Sequence, residues 1–330
     1  MMFLTNFNFV FLIILNIFSF LAIRINSLFF TWVLIELNLL IMSPLLLNKR
    51  VFIKEQTSLV LKYFLIQVLR SIILLIRMIF FNFYLISLRN LSLMLVIALI
   101  LKAGIPPLHF WFPQLLKICN PLQAVLMLTT QKIIPLFIIR LLCRELIIMF
   151  ILISVIIGRV SGFNQNSLLK LIAYSSIVHS SWIISGLIAN TISAYFYFIL
   201  YVITSYIIIY FISFNSIKLI SEIIIAYNTP LVIITFIIII FTLSGSPPFI
   251  GFFSKAFIIT SLIKLKLLTL NLFLVLGSTV SFYYYLRMTL TFFSFNSLKC
   301  KDNNKSNLFS GAFIIIPINL IGLLAIWSIS

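Results

Sequence analysis

Gly104-Ile105-Pro106-Pro107-Leu108-His109-Phe110-Trp111-Phe112 returns 141 positions later as Gly245-Ser246-Pro247-Pro248-Phe249-Ile250-Gly251-Phe252-Phe253. Each copy lies inside a long apolar run. Proline lacks the N–H of the helical ladder and its ring crowds the preceding turn, so a Gly with two prolines predicts a helix that stops and restarts. Two unrelated proline kinks are the plainer reading. The shared wording favours an internal duplication with one broken helix in each half. Unwound backbone at membrane depth is tolerated only inside protein or beside water, so interrupted segments in matching places of two halves point to a transport path.

The composition agrees. The 330 residues are 63% hydrophobic and 8% charged, with a mean hydropathy of +1.27, whereas a soluble domain carries about 25% charged residues. At about 20 residues per span, the length allows about eleven helices and leaves no room for a separate soluble domain. The net charge of +18 is scattered between apolar runs rather than gathered on one face, which argues against nucleic acid and for lipid and topology. Cys119, Cys143 and Cys300 form no CxxC pair and predict neither a disulfide framework nor a metal cluster. No charge precedes Arg24, so the first apolar run lacks the basic start of a secretory signal and reads as a retained span.

Apolar runs place spans at 5–23, 28–47, 58–81, 91–112 (broken at 104–107), 122–142, 146–161, 169–189, 193–213, 230–262 (broken at 245–248), 268–294 and 311–329. The fold class expected is therefore an all-α polytopic membrane protein. The two breaks fall an odd number of spans apart, which makes the halves inverted-topology repeats. One transmembrane domain results, with half-units at 1–145 and 146–294 and a loop and last helix at 295–330. Loops on the N-terminal side carry Lys49, Arg50, Lys54, Lys117, Lys170, Lys218, Lys299, Lys301 and Lys305; the opposite loops carry chiefly Arg89, Arg144, Lys264 and Lys266. The N-terminus is expected on the more basic side and the C-terminus on the other.

Among the ionisable groups within spans, Glu36, Lys102 just before the first break, Lys132, and Lys255 after the second carry the argument. A charge at the bilayer centre costs about 2.5–3.5 kcal/mol on insertion scales, so such groups face an aqueous path or one another. Glu36 and Lys102 make the natural pair. At ~4 Å and an effective dielectric of 20 they attract by about 4 kcal/mol, and a lysine whose charge depends on a movable partner is a proton switch. The plainer alternatives are a Glu hydrogen-bonded between helices and lysines that snorkel. Because imidazole titrates near neutrality, His109 and His179 are candidate relays, with satisfied packing histidines as the alternative; a bis-histidine haem is the weakest reading.

Several stretches taken together are similar to one family. They are Trp32-Val33-Leu34-Ile35-Glu36-Leu37-Asn38, Lys62-Tyr63-Phe64-Leu65-Ile66-Gln67, Lys102 to Pro113, Gln131-Lys132-Ile133-Ile134-Pro135, Asn164 to Ile177, and Gly245 to Lys255. In this order, and over nearly the whole chain, they resemble mitochondrial NADH dehydrogenase subunit 2, an antiporter-like proton-pumping subunit in the membrane arm of respiratory complex I. The length is similar to the shortened animal form, without the first three helices of bacterial relatives. The resemblance implies that Glu36 pairs with Lys102, that Lys132 is the central connection, and that Lys255 belongs to the second half-channel, with His109, His179 and Lys170 as possible relays. It implies proton movement coupled at a distance to quinone reduction, with no cofactor in this chain: NADH, FMN, iron–sulfur clusters and ubiquinone are handled by or with other subunits. This fits the absence of a GxGxxG fingerprint and of a cysteine or metal cluster. It also implies the mitochondrial inner membrane, an N-terminus in the matrix, a C-terminus in the intermembrane space, and membrane-arm subunits and cardiolipin as partners, with no nucleic acid.

The chain departs from the family pattern at Gln114, where an acid is usual, and at Arg24, Arg70, Arg77, Arg140 and Arg159, where small or polar residues are usual. Invertebrate mitochondria read AGA and AGG as Ser and ATA as Met, and a different translation table accounts for both these arginines and the scarcity of Met, of which there are 8. A free-standing cation/proton antiporter and a structural membrane anchor are the other function classes open.

Overall fold

In hydrocarbon every backbone N–H and C=O needs a partner within the protein, which makes helices of these runs even where β-branched Ile dominates. The computed structural model describes residues 2–25, 27–46, 54–83, 88–140, 144–214, 219–222 and 230–295. The expected span at 311–329 and Lys49, Arg50, Lys218, Lys299, Lys301, Lys305, Cys143 and Cys300 lie outside them. The helices are α1 (Met2–Arg24), α2 (Leu28–Leu46), α3 (Lys54–Phe83), α4 (Leu88–Ala103), α5 (Trp111–Ile118), α6 (Pro121–Leu128), α7 (Thr130–Ile139), α8 (Arg144–Phe163), α9 (Leu168–Ala189), α10 (Thr191–Phe214), α11 (Pro230–Ser244), α12 (Ile250–Lys264) and α13 (Leu268–Phe295). A short 3-10 turn, Ile220–Glu222, precedes α11.

Among the described residues seven helices are long and apolar enough to cross a membrane, and three shorter apolar segments, Val10–Ala22, Ser92–Ala103 and Ile234–Ser244, accompany them. Two of the short ones are α4 and α11, the helices that end at the breaks. The chain divides into two compact units, Met1–Ser154 and Val155–Ser330, so the division falls inside α8.

In the first unit α3 packs on α2, α4 and α5, and α7 on α1, α4 and α6. In the second, α9 packs on α10 and α12, and α11 on α10, α12 and α13. Helix α9 is almost wholly buried. Its serines Ser175, Ser176, Ser180, Ser181 and Ser185 each donate to the carbonyl three residues back, at 2.6–2.9 Å, so a polar stripe crosses an apolar interior without unmet hydroxyls. Outward-facing Phe20, Leu61, Val160 and Ile192 are more than 60% exposed, as suits surfaces meant for lipid or a partner.

The span expected at 122–142 stands as a candidate membrane span over Pro121–Ile139, interrupted at Thr129 (φ −112°, ψ −77°), where α6 gives way to α7. Pro135 leaves the Gln131 carbonyl without its helical N–H and crowds that turn. Thr129 and Thr130 turn their hydroxyls back onto the Val125 and Leu126 carbonyls at 2.8 and 3.0 Å, which further bends a helix.

Candidate functional site

The two repeated phrases end their helices in the same way. At the first, Gly104 (φ +66°) donates to Leu101 O and Ile105 to Ile100 O; at the second, Gly245 (φ +70°) donates to Thr242 O and Ser246 to Phe241 O. Both are Schellman caps, which require the left-handed conformation that glycine adopts freely. The prolines then forbid continuation. After each break the chain restarts without a side-chain cap, at Trp111 in α5 and at Ile250 in α12.

In the first unit, Lys102 occupies the last turn of α4 and is 4% exposed. Its Nζ has no hydrogen-bond partner among the described residues. Glu36 on α2 does not pair with Lys102: its Oε1 lies 3.1 Å from Nη2 of Arg70 on α3. The expected pair is thus corrected. A long, forked guanidinium from the neighbouring helix reaches the carboxylate that the lysine was expected to hold. Lys102 nonetheless lies within the field of both Arg70 and Glu36. Beyond it, Lys132 sits just after the Thr129 break, 1% exposed, with its Nζ 5.0 Å from the centre of the Phe112 ring. The neighbouring Gln131 donates to Asn38 Oδ1 at 3.0 Å, tying α7 to α2.

In the second unit, Lys255 on α12 is 6% exposed and donates through Nζ to the Ser244 carbonyl, the cap residue of α11. That oxygen is one of the orphan acceptors of a helix C-terminus, here met by an ammonium. Nζ also lies 5.8 Å from the Trp182 ring, and Trp182 stacks with Tyr197 at 6.4 Å. The Tyr197 hydroxyl and His179 Nδ1 are 2.8 Å apart. His179, Tyr201, Thr242 and Ser254 line a cavity of about 50 Å³, room for one or two waters beside polar partners. Three of the lysines picked from sequence therefore meet a helix break, and His179 lines a small, largely apolar cavity.

The remaining candidates lie apart. His109 is buried in the first break, with Nδ1 3.3 Å from Pro107 O and its ring 4.5 Å from that of Phe110. Lys170 is half-exposed in the first turn of α9, outside both clusters. Two arginines were missed as site residues. Arg70 is one. Arg159 is the other: it is 4% exposed and donates from Nη1 to Phe273 O and from Nη2 to Leu274 O, both at 3.1 Å. Its guanidinium occupies the place a side chain at Gly277 would take. The signal available in the sequence was simply a cation where an apolar run allows none.

Residues 25–281 match the family described as NADH:quinone oxidoreductase/Mrp antiporter, TM. NADH-ubiquinone oxidoreductase chain 2 of Anopheles gambiae is 33% identical over 94% of this chain and 95% of its own length. The protein of the same name from Myxine glutinosa is 35% identical over 80% and 79%. Among solved structures, a chain of respiratory complex I from Thermus thermophilus superposes with a TM-score of 0.79 at 21% identity, over 93% of this chain and 76% of that one. A chain of the Mrp complex from Dietzia sp. gives a TM-score of 0.70 at 18% identity, over 85% and 59%. Sequence, family and fold agree, and the chain belongs to the NADH-ubiquinone oxidoreductase chain 2 family of antiporter-like membrane subunits.

Proposed function

We propose that this subunit moves protons across the inner mitochondrial membrane by charge rearrangement along its buried lysines, driven from a distance by electron transfer from NADH to ubiquinone. One observation carries the reading: Lys102, Lys132 and Lys255 are 4%, 1% and 6% exposed, and each stands beside an interruption of a helix. Buried lysines are costly in hydrocarbon and persist where a path needs them. Broken helices free carbonyls and admit water there. Lysine is the cation suited to this work, because it gives up its proton when its surroundings change and arginine does not.

The chain is a multi-pass inner-membrane subunit of NADH:ubiquinone oxidoreductase and works beside other membrane-arm subunits. The Glu36 side chain supports a protein neighbour: it is 25% exposed, on a helix whose Leu37 and Leu40 face outward, and a carboxylate opening on that face needs protein rather than acyl chains beside it. The N-terminus lies in the matrix and the C-terminus in the intermembrane space, as the loop lysines favour; cleavage of tags at both ends from one side of mitoplasts would refute this. Cardiolipin covers the remaining apolar surface. NADH, FMN, the iron–sulfur clusters and ubiquinone stay with other subunits. The decisive test replaces Lys132 by Met in the assembled complex. Assembly on native gels with lost proton delivery is expected, and unchanged delivery would leave the chain a structural anchor.

A further inference from the structure

Helix α12 closes with a third Schellman cap, and this one carries a lysine where the other two carry glycine. Lys266 donates to Ile263 O and Leu267 to Leu262 O, with Lys266 at φ +60°. The left-handed conformation is unfavourable for any residue with a Cβ. Lys264 and Lys266 are both exposed, and both belong to the side whose loops are poor in basic residues, where topology gives cations no reason to gather. No Asp or Glu occurs between Glu145 and Glu222 or between Glu222 and Asp302. No carboxylate of α9 to α13 can therefore neutralise these lysines.

Beside them lies an open groove of about 530 Å³, formed by the α9–α10 connection, the first two turns of α10 and the last two turns of α12. Its lining changes character along its length. At the helix ends stand Lys264, Asn190 and the start of α10, where Asn190 Oδ1 accepts from the Ile192 N–H at 3.0 Å. The N-terminus of that 24-residue helix adds partial positive charge. Two turns further into the span, about 10 Å from Lys264 at 1.5 Å per residue, Phe257 meets Phe196 edge to face with ring centres 6.0 Å apart. Both rings line the groove and are exposed. A cationic end at the membrane surface above an apolar end within the span matches the two parts of a phospholipid. An acidic peptide lying along the surface would meet the lysines and leave the two rings uncovered.

We propose that this groove binds one anionic phospholipid, its phosphate held by Lys264 with Lys266 beside it and the α10 N-terminus facing it, and one acyl chain lying against Phe196 and Phe257. This rests on the reading of the chain as an inner-membrane subunit and does not depend on which lysines carry protons. It gives one lipid a fixed place on the second unit.

The test adds phosphatidylglycerol with a photoreactive acyl chain to the assembled complex in phosphatidylcholine vesicles and locates the label by peptide mass. Label at 191–200 and 250–264, displaced by plain phosphatidylglycerol and not by extra phosphatidylcholine, is expected. Lys264→Met should weaken it about fivefold, and adding Lys266→Gly about fivefold more, with assembly on native gels and proton delivery unchanged. Lys266→Gly also suits the left-handed cap and should raise the temperature at which the subunit is lost on native gels, so that weaker labelling is not unfolding. Equal labelling by a phosphatidylcholine analogue, or labelling indifferent to both lysines, would overturn the site. A cross-link from Lys264 to an acidic segment of another subunit would also overturn it, by making the groove a protein interface. Absent label with intact proton delivery strikes the lipid site alone, whereas unchanged delivery in Lys132→Met strikes the proton-moving role and leaves the lipid site standing.

Discussion

The two broken helices share their caps and differ in where they keep their lysine. In the first unit Lys102 stands two residues before the capping glycine, and the position matching Lys255 at the repeat offset is Gln114, which is exposed. In the second, the position matching Lys102 is Leu243, and Lys255 lies on the helix after the break. The consequence is electrostatic. Lys255 is held by the C-terminal carbonyl of α11 and the face of Trp182, whereas Lys102 has no hydrogen-bond partner among the described residues and the carboxylate expected beside it is held by Arg70. The same backbone device thus serves a lysine whose ammonium is hydrogen-bonded in one unit and one whose ammonium is not, among the described residues, in the other.

Gly245→Ala should break this comparison most severely. A Cβ there would stand 2.7 Å from Lys255 Cε and Nζ, at φ +70°. The left-handed conformation costs about 1–2 kcal/mol for a residue with a side chain, and the displaced ammonium abandons Ser244. Lost proton delivery with partial loss of assembly is expected in vesicle assays and native gels. Gly104→Ala carries the same backbone strain but meets Phe112 Cβ at 2.9 Å, so its damage should reach Lys132 through the ring beneath it and leave Lys255 alone.

Replacing the lysines themselves sharpens the contrast. Lys255→Met strips a buried carbonyl of its donor and should lower the thermal stability of the subunit by about 1–3 kcal/mol. Lys102→Met removes an ammonium without a hydrogen bond, and its melting, followed by native gel after heating, should be unchanged or higher. Gly277→Ala should come next, by driving the Arg159 guanidinium off the Phe273 and Leu274 carbonyls; pairing it with Arg159→Met should cost less than the sum of the two. The smallest effect belongs to Tyr197→Phe, which removes the hydroxyl beside His179 and should cost about 1 kcal/mol, read as a modest drop in turnover.

Much of this is legible in the sequence alone. A Gly followed by Pro-Pro inside an apolar run announces a stop and restart, and both appear where the repeated phrase puts them. Lys102, Lys132 and Lys255 stand out because a charge in such a run has no other reason to be there. The break at Thr129 was harder to see, since Pro135 lies six residues downstream and two threonines act through hydrogen bonds that leave no pattern. The partner of Glu36 was illegible because spacing along the chain does not tell how α2, α3 and α4 are rotated about their axes. Lys255 was assigned no partner because its acceptor is a backbone carbonyl, which no residue type betrays.

The central claim is that break-adjacent lysines in both units carry protons, and it is tested most directly by the protons delivered per NADH oxidised in vesicles holding the assembled complex with Lys102→Met or with Lys255→Met. Reduced delivery or tightly coupled loss of turnover is expected in each variant, although only Lys255→Met should also lose thermal stability. Wild-type delivery at the wild-type rate in both variants would contradict the account.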